Sequence, residues 1–186
     1  MRGENMVYVL LADGFEEIEA LAPVDLMRRA GLNVKTLAVG EGLTVRGAHG
    51  ICVEADGMVA DADGVDGVEL IVLPGGMPGT MNLDSSKAVH RLIDLAVSNK
   101  IRIAAICAAP MILGKLGLLC GKRATCYPGF EEYLDGAELC EALVVTDGLI
   151  TTSKGAGAAV DFGLELVSLL CGEKIAENIG HGIFAR

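Results

Sequence analysis

The sequence predicts an α/β fold in which helices cover both faces of a mostly parallel sheet. Apolar runs with the length of strands alternate along the chain with segments of helical spacing, the usual pattern of parallel sheets. Several of these runs are apolar throughout, as in strands that are buried on both faces. The chain has 186 residues, of which 52% are hydrophobic and 22% are charged, and this composition is typical of a globular protein. We therefore expect a single domain over residues 1–186.

The first strand and helix are predicted from apolar runs and from their end signals. The run Met6–Ala12 is typical of a strand that is buried on both faces. Asp13 is the expected N-cap of the next helix, with Glu16 as its capping-box partner. That helix is predicted over residues 15–30 and is expected to stop at Gly31.

The later elements follow from the same signals. An Asp-Gly pair between two β-like runs predicts a hairpin late in the chain. In chain order we expect a strand over 33–39, a short hairpin over 45–56, a strand with a glycine turn over 68–76, a helix over 85–99, a strand over 101–107, a helix over 109–119, a short strand over 123–126, the hairpin over 141–153, and helices over 155–170 and 173–179.

Three segments are expected to meet at one edge of this sheet. In parallel α/β folds, ligands bind beyond the carboxyl ends of the strands. The segments that follow the three most apolar predicted strands are Asp13–Glu19, Pro74–Pro78 and Cys107–Pro110. The sequence therefore predicts a functional site that these segments share.

Cys107 lies where a buried strand meets a helix, which is the position of a nucleophile elbow. Such a turn needs small residues two before and two after the nucleophile, and Ala105 and Ala109 occupy those positions. Pro110 suits the first turn of the helix. Backbone N–H groups at this turn are expected to lower the pKa of the thiol. A buried structural cysteine remains an equal alternative on this spacing alone.

Glu19 is a candidate partner for this thiol. It lies between apolar positions of the helix and four residues before Pro23, which has no N–H to donate to the Glu19 carbonyl. In a dry pocket its carboxyl group would have a raised pKa and could donate a hydrogen bond to a thiolate. Periodicity alone favours a solvated helical face for Glu19, and Glu17 is expected to be solvated.

Gly75 and Gly76 form a turn at the same edge. A glycine turn after a buried strand leaves backbone N–H groups free to bind an anion or oxyanion. Such turns are common, so a plain tight turn is the alternative.

Charge and composition exclude several other classes of function. The net charge is −10, with no local Lys/Arg cluster, so we expect no nucleic-acid partner. No apolar run has the length of a membrane span and no signal peptide is evident, so we expect a cytoplasmic protein without a membrane partner. The six cysteines form no CxxC pair and the three histidines have no metal spacing, so we expect reduced thiols and no metal.

The sequence resembles the DJ-one/ThiJ/PfpI superfamily, and most closely its DJ-one/ThiJ branch. The resemblance covers nearly the whole chain. It rests on the order and spacing of four segments: ADGFEEIEALAPVDLMRRAG (12–31), VLPGGMPGTMNL (72–83), IAAICAAP (103–110) and TTSKGAGAAVDFGLELV (151–167).

The resemblance implies a flavodoxin-like fold, similar to class I glutamine amidotransferases, with a reactive cysteine on an elbow. It assigns the reactive cysteine to Cys107 and its glutamate partner to Glu19. It assigns the oxyanion-type amides to Gly75, Gly76 and Ala108. It also implies a homodimer, with the helix that carries Glu19 and Arg29 close to the partner subunit.

Two positions depart from the pattern of many relatives. A histidine often precedes the proline after the cysteine helix, but here Tyr127 precedes Pro128, with Cys126 beside it. Some relatives carry an arginine where this chain has His49. A histidine base is therefore not expected. Tyr127, His49 and Cys126 are secondary candidates, and a lone histidine is more often structural.

The resemblance implies three possible functions. The first is an enzyme in stress defence that converts methylglyoxal or glyoxal to a hydroxy acid, or that removes the sugar-derived group from glycated amines. This enzyme would need neither glutathione nor a cofactor. The second is a redox sensor or redox-regulated chaperone that uses oxidation of Cys107. A PfpI-type peptidase is the weakest, because that branch has a histidine where this chain has Ala108. Glutamine amidotransferases need a His-x-Glu pair, which His181 does not begin, because Gly182 and Ile183 follow it.

Overall fold

The computed structural model describes residues 6–62 and 64–185, so residues 1–5, 63 and 186 of the predicted domain lie outside the described part. Eleven strands are present in that part: β1 (Met6–Ala12), β2 (Asn33–Val39), β3 (Thr44–Arg46), β4 (Cys52–Glu54), β5 (Gly57–Met58), β6 (Val68–Leu73), β7 (Arg102–Ile106), β8 (Arg123–Ala124), β9 (Glu138–Leu139), β10 (Val144–Asp147) and β11 (Ile150–Ser153).

Seven of these strands form the central sheet, in the order β10-β11-β7-β6-β1-β2-β5. Every pair in it is parallel except the β10–β11 hairpin. The predicted mostly parallel sheet is confirmed. Two small separate sheets are formed by the antiparallel pair β3–β4 and the parallel pair β8–β9.

Six α-helices cover the sheet in the described residues. They are α1 (Glu17–Arg29), α2 (Gly79–Ser85), α3 (Lys87–Ser98), α4 (Pro110–Lys115), α5 (Ala159–Cys171) and α6 (Glu173–Gly182). Buried side chains form one core with α2, α3 and α4 and a second core with α1, α5 and α6. The sheet is therefore covered on both faces, as the sequence predicted.

The predicted cap of the first helix was wrong. The N-cap position of α1 is Glu16, and its side chain makes no capping hydrogen bond. The Asp13 carboxylate instead accepts a hydrogen bond from the backbone N–H of Arg46 at 2.8 Å. The Asp13 carboxylate thus anchors the β3–β4 hairpin instead of capping the helix.

Other element boundaries differ from the prediction in local ways. The helix predicted over 85–99 is α3, which begins at Lys87 because the Ser86 hydroxyl caps it by accepting a hydrogen bond from the N–H of Val89. The short helix α2, which precedes it, was not predicted. The helix after Cys107 spans only the six residues of α4. Both predicted hairpins are confirmed, and Gly148 and Leu149 form the turn of the second, after Asp147 at the end of β10.

The order of the strands positions the site. Strands β1, β6 and β7 are neighbours in the sheet and run parallel, so their carboxyl ends lie side by side at one edge. The segments after Ala12, Leu73 and Ile106 meet there, as predicted. Within the described residues, no helix has both the length and the apolar character needed to cross a bilayer.

Candidate active site

Cys107 occupies a sharp turn between β7 and α4. Its φ angle is +64°, a left-handed conformation that is uncommon for residues other than glycine. Two backbone hydrogen bonds hold the turn: the Cys107 N–H donates to the Ser153 carbonyl, and the Cys107 carbonyl accepts from the Tyr127 N–H, both at 2.8 Å. The turn is therefore fixed by two neighbouring segments, and the thiol is only partly buried.

Small residues surround the elbow on both sides. Ala105 and Ala109 are fully buried, and Pro110 is the first residue of α4. Larger side chains at these two alanine positions would have no space in the core. This is the local pattern that a nucleophile elbow requires.

Glu19 is buried beside this thiol. Its side chain is 1% exposed, and its Oε2 atom accepts a hydrogen bond from the Gly75 N–H at 3.0 Å. Burial raises the pKa of Glu19 to about 7, and the nearby charge of Glu16 adds to the increase, while hydrogen bonds with Cys107 and with the Gly75 and Ala156 N–H groups oppose it. The prediction from periodicity that Glu19 lies on a solvated face of the helix is therefore wrong.

Cys107 is held as a thiol while Glu19 is ionised. Burial, followed by the charge of the Glu19 carboxylate and its hydrogen bond, raises the pKa of Cys107 to about 12. The backbone N–H groups of Gly76 and Ala108 lower it, but by less. The N–H groups at the elbow lower the pKa of Cys107 as expected, but burial and the charged Glu19 carboxylate raise it by more.

The two groups form a pair that can share a proton. When Glu19 is protonated, its charge no longer opposes a thiolate, and its hydroxyl can donate a hydrogen bond to the sulfur. The N–H groups of Gly76 and Ala108 also bind the sulfur anion. The arrangement can therefore present a thiolate next to a protonated acid, which is the requirement for nucleophilic attack followed by proton transfer.

Gly75 is the point of closest approach between the two side chains. A Cβ atom built on Gly75 would lie 2.5 Å from the Glu19 Oε2 atom and 2.6 Å from the Cys107 Cβ atom. Only a residue without a side chain fits between them. Its N–H donates to the Glu19 carboxylate and is not free for an oxyanion, whereas the Gly76 and Ala108 N–H groups lie at the Cys107 sulfur.

Tyr127 lies near the site through its ring and its backbone. A Cβ atom on Gly155 would contact the Tyr127 ring at 3.3 Å and the Glu19 Oε1 atom at 3.8 Å, so ring and carboxyl group approach the same backbone position. Tyr127 is half exposed. Its neighbour Cys126 is buried and lines a different cavity.

Glu17 is a residue that the sequence analysis misplaced. It is 5% exposed, and it accepts hydrogen bonds from the backbone N–H groups of His49 and Ile51 at 2.8 and 3.4 Å. Burial alone would raise the pKa of Glu17, but the hydrogen bonds from His49 and Ile51 lower it. The signal was present in the sequence, because Glu17 shares a helical face with Ala20 and Val24.

His49 pairs with Glu17 and not with Cys107. Its Nδ1 atom lies 2.9 Å from the Glu17 carboxylate and 3.4 Å from that of Glu16, and the hydrogen bond to Glu17 raises the pKa of His49. Among the described residues, these three form a group whose potential ligand atoms lie within 4.8 Å of one another.

The fold and this site define an α/β protein with a cysteine on a nucleophile elbow and a buried glutamate beside it. Residues 5–169 match the DJ-1/PfpI family, and the chain belongs to that family. It is 38% identical over 184 residues to Protein DJ-1 homolog A of Arabidopsis thaliana, with 97% of this chain and 46% of that protein covered. It is 31% identical over 166 residues to a Pyrococcus abyssi protein named as a deglycase, with 88% and 98% covered.

The crystal structure of Drosophila melanogaster DJ-1beta has the same fold. The TM-score is 0.92 at 32% identity, and the match covers 98% of this chain and 99% of that one. The flavodoxin-like arrangement implied by the family is therefore confirmed. The chain spans less than half the length of the two Arabidopsis relatives, 46% of DJ-1 homolog A and 41% of homolog B.

Proposed function

We propose that this protein is a cysteine-dependent enzyme that converts small dicarbonyls, such as methylglyoxal and glyoxal, to hydroxy acids. The observation that carries the proposal is the buried Glu19 carboxyl group against the Cys107 thiol, with a pKa of about 7. A general acid–base group is most effective when its pKa is close to the working pH. The named deglycase among the relatives supports chemistry on carbonyl adducts.

The first step is addition. Protonated Glu19 faces the Cys107 thiolate, whose sulfur forms a bond to the aldehyde carbon of methylglyoxal. The aldehyde oxygen takes the proton from Glu19, which gives a hemithioacetal and a Glu19 carboxylate. The N–H groups of Gly76 and Ala108, which already bind the sulfur side of the elbow, stabilise the developing oxyanion.

The second step is a proton transfer between adjacent carbons. The Glu19 carboxylate removes the proton from the former aldehyde carbon, which gives an enediolate, and then returns that proton to the neighbouring carbon. The hydroxyl proton of the first carbon passes to the oxygen of the second. The first carbon becomes a thioester carbonyl and the second carries a hydroxyl group. Water then hydrolyses the thioester, which releases lactate and restores the Cys107 thiol. The net reaction adds one water to methylglyoxal and needs no oxidant or external thiol.

Lactate formation from methylglyoxal without glutathione tests this proposal. We expect turnover by the wild-type chain and loss of it in Cys107→Ser, because the hydroxyl is a much weaker nucleophile. Glu19→Gln is expected to lose turnover by roughly 100- to 10,000-fold, the range of general acid–base catalysis. Glu177→Gln is the matched control, since Glu177 is an exposed glutamate on α6.

A redox function is the second candidate, and the same experiment separates it from the first. Cys107 is only partly buried, and two N–H groups lie at its sulfur, where they would also bind a sulfinate. An inert wild-type chain whose Cys107 is readily oxidised by peroxide would reject the enzyme and favour the sensor. Equal turnover in wild type and Cys107→Ser would reject the enzyme, and a Cys107 that resists peroxide would reject the sensor.

The proposal includes a homodimer formed through the surface beside α1. Ile18 and Ile51 are each 55% exposed, and together with Ala156 they line an open, mostly apolar cavity next to Glu17 and His49. Exposed apolar surface of this kind is a frequent feature of subunit interfaces. A second copy placed here would remove Ile18 and Ile51 from solvent.

Sedimentation of the full chain tests the dimer. We expect the mass of two chains for the wild type and of one chain for Ile51→Glu, because the new carboxylate would be buried without a partner. Val97→Glu on α3 is the control, since Val97 is 46% exposed on another surface. A single-chain mass for the wild type, or equal dissociation of both variants, would contradict this dimer.

A further inference from the structure

Glu16 and His49 carry charges beside the candidate active site that the proposed reaction does not use. Glu16 is the N-cap residue of α1, and its side chain is 15% exposed and makes no capping hydrogen bond. The His49 Nδ1 atom lies 3.4 Å from the Glu16 carboxylate and 2.9 Å from the Glu17 carboxylate, while the His49 side chain is 69% exposed. A mostly buried carboxylate is therefore paired with a histidine that reaches solvent.

Glu16 is also a neighbour of Glu19. The two are the N-cap and the third residue of α1, positions that lie on the same side of the first turn of a helix. Gly75 contacts both residues, because its N–H donates to the Glu19 Oε2 atom and its carbonyl accepts from the Glu16 N–H, each at 3.0 Å. One glycine thus fixes the backbone of Glu16 and the side chain of Glu19 at the same point of the site.

The Glu16 charge acts on the proton equilibrium of Glu19. Burial is the main reason for the raised pKa of Glu19, and the charge of Glu16 raises this pKa further, because a nearby like charge disfavours the ionised form. The groups that approach Glu19 from other elements are the Cys107 thiol, the Gly75 and Ala156 N–H groups, and the Tyr127 ring. The thiol and the N–H groups favour the Glu19 carboxylate by hydrogen bonding, so Glu16 opposes them.

His49 offsets the charge of Glu16. The hydrogen bond to Glu17, together with the charges of Glu16 and Glu17, raises the pKa of His49. The ring is therefore protonated up to a higher pH than an ordinary histidine. A positive charge 3.4 Å from the Glu16 carboxylate weakens the field of that carboxylate at Glu19. Once the ring is neutral, Glu16 acts on Glu19 without this opposition.

We propose that Glu16 and His49 are positioning residues for the acid–base pair: the Glu16 carboxylate holds the proton on Glu19, and protonated His49 weakens that hold. The form with one proton shared between Glu19 and Cys107 therefore appears at a pH that these two charges decide. Its use in turnover rests on the proposed function, in which this form attacks the carbonyl carbon. The sharing of the proton itself can be followed on Cys107 without any turnover.

The alkylation rate of Cys107 against pH tests the proposal. Trypsin cuts after Arg102 and Lys115, so the peptide over residues 103–115 contains Cys107 as its one cysteine, and its labelling by iodoacetamide can be measured by mass. In the wild type we expect the rate to rise with pH and to bend to a plateau at about pH 7, where the Glu19–Cys107 pair loses its first proton, because the thiolate fraction is then constant. Glu19→Gln should have no such bend, because its thiol ionises alone.

Two substitutions are expected to shift the bend in opposite directions. Glu16→Gln should move it to lower pH and His49→Gln to higher pH, each by roughly half a pH unit, because each removes one charge and keeps the backbone N–H of that residue with its hydrogen bond. Glu16→Asp keeps the charge and should keep the bend. Glu177→Gln and His181→Gln, which change exposed side chains on α6, are the matched controls and should not move it.

Opposite shifts cannot come from a general loosening of the site, which would act on both variants alike. The proposal is overturned if Glu16→Gln leaves the bend in place or raises it, if both variants move it the same way, or if the wild type has no bend. Should a variant not fold, Glu16→Ala and His49→Ala repeat the test.

Lactate formation by the same variants separates this result from the proposed function. Shifted bends without turnover would reject the enzyme and keep the roles of Glu16 and His49. Turnover with unshifted bends would keep the enzyme and reject these two roles.

Discussion

Glu19→Gln is expected to be more stable than the wild-type chain at about pH 8.5 and equally stable at about pH 4. The buried carboxyl group has a pKa of about 7 in the folded protein against an ordinary 4.5, so ionising it in the fold costs about 3 kcal/mol. Glutamine keeps the shape and an oxygen for the Gly75 N–H but carries no charge. Urea unfolding at several pH values measures the difference.

The sign follows from which state binds the proton more tightly. Because the pKa of Glu19 is raised on folding, the folded chain holds a proton that the unfolded chain has lost between pH 4.5 and about 7. The stability that this proton contributes is complete below pH 4.5 and is lost as the pH rises through about 7. The wild type should therefore weaken over this window, and Glu19→Gln should not.

The exposed Glu177→Gln serves as the control here too, and we expect its pH dependence to match the wild type. Parallel curves for wild type and Glu19→Gln would show that Glu19 carries no raised pKa in the folded protein. That result would remove the basis for its role as acid and base. A variant that is more stable and yet inactive would instead identify Glu19 as a group kept at the expense of stability.

Gly75→Ala is expected to lose both stability and activity. Its Cβ atom would lie 2.5 Å from the Glu19 carboxylate, 2.6 Å from the Cys107 Cβ atom and 2.9 Å from the Ile106 carbonyl. The last of these is backbone, so the neighbours cannot all give way. We expect a loss of about 1–3 kcal/mol in the free energy of unfolding. Separating the two reactive groups by about 1 Å should lower turnover on the order of 100-fold.

The measurements for Gly75→Ala are urea unfolding, lactate formation and the alkylation rate of Cys107. Gly157→Ala is the matched control, because a Cβ atom on Gly157 meets nothing within 4 Å. We expect that control to stay close to the wild type in all three measurements. Wild-type turnover by Gly75→Ala would mean that the contact between Glu19 and Cys107 does not matter for the reaction.

The sheet, its helices and the site edge could be predicted from the sequence. Continuous apolar runs mark strands buried on both faces, and their order along the chain brings three strand ends together. The small residues Ala105 and Ala109 predicted the elbow at Cys107, because this tight turn requires small residues two before and two after the nucleophile. These features follow from local geometry and from the burial of apolar surface, which act on neighbouring residues.

The burial, the hydrogen bonds and the pKa values of the site residues were decided only by the tertiary structure. Periodicity favours a solvated face for Glu19, whereas Glu17 shares a helical face with Ala20 and Val24. Packing against the elbow and against the loop of His49 and Ile51 buries both carboxylates. The same packing assigns the Gly75 N–H to Glu19 and outweighs the N–H groups that lower the pKa of Cys107. Burial and charge act through space between segments far apart in the chain, so no local pattern records their balance.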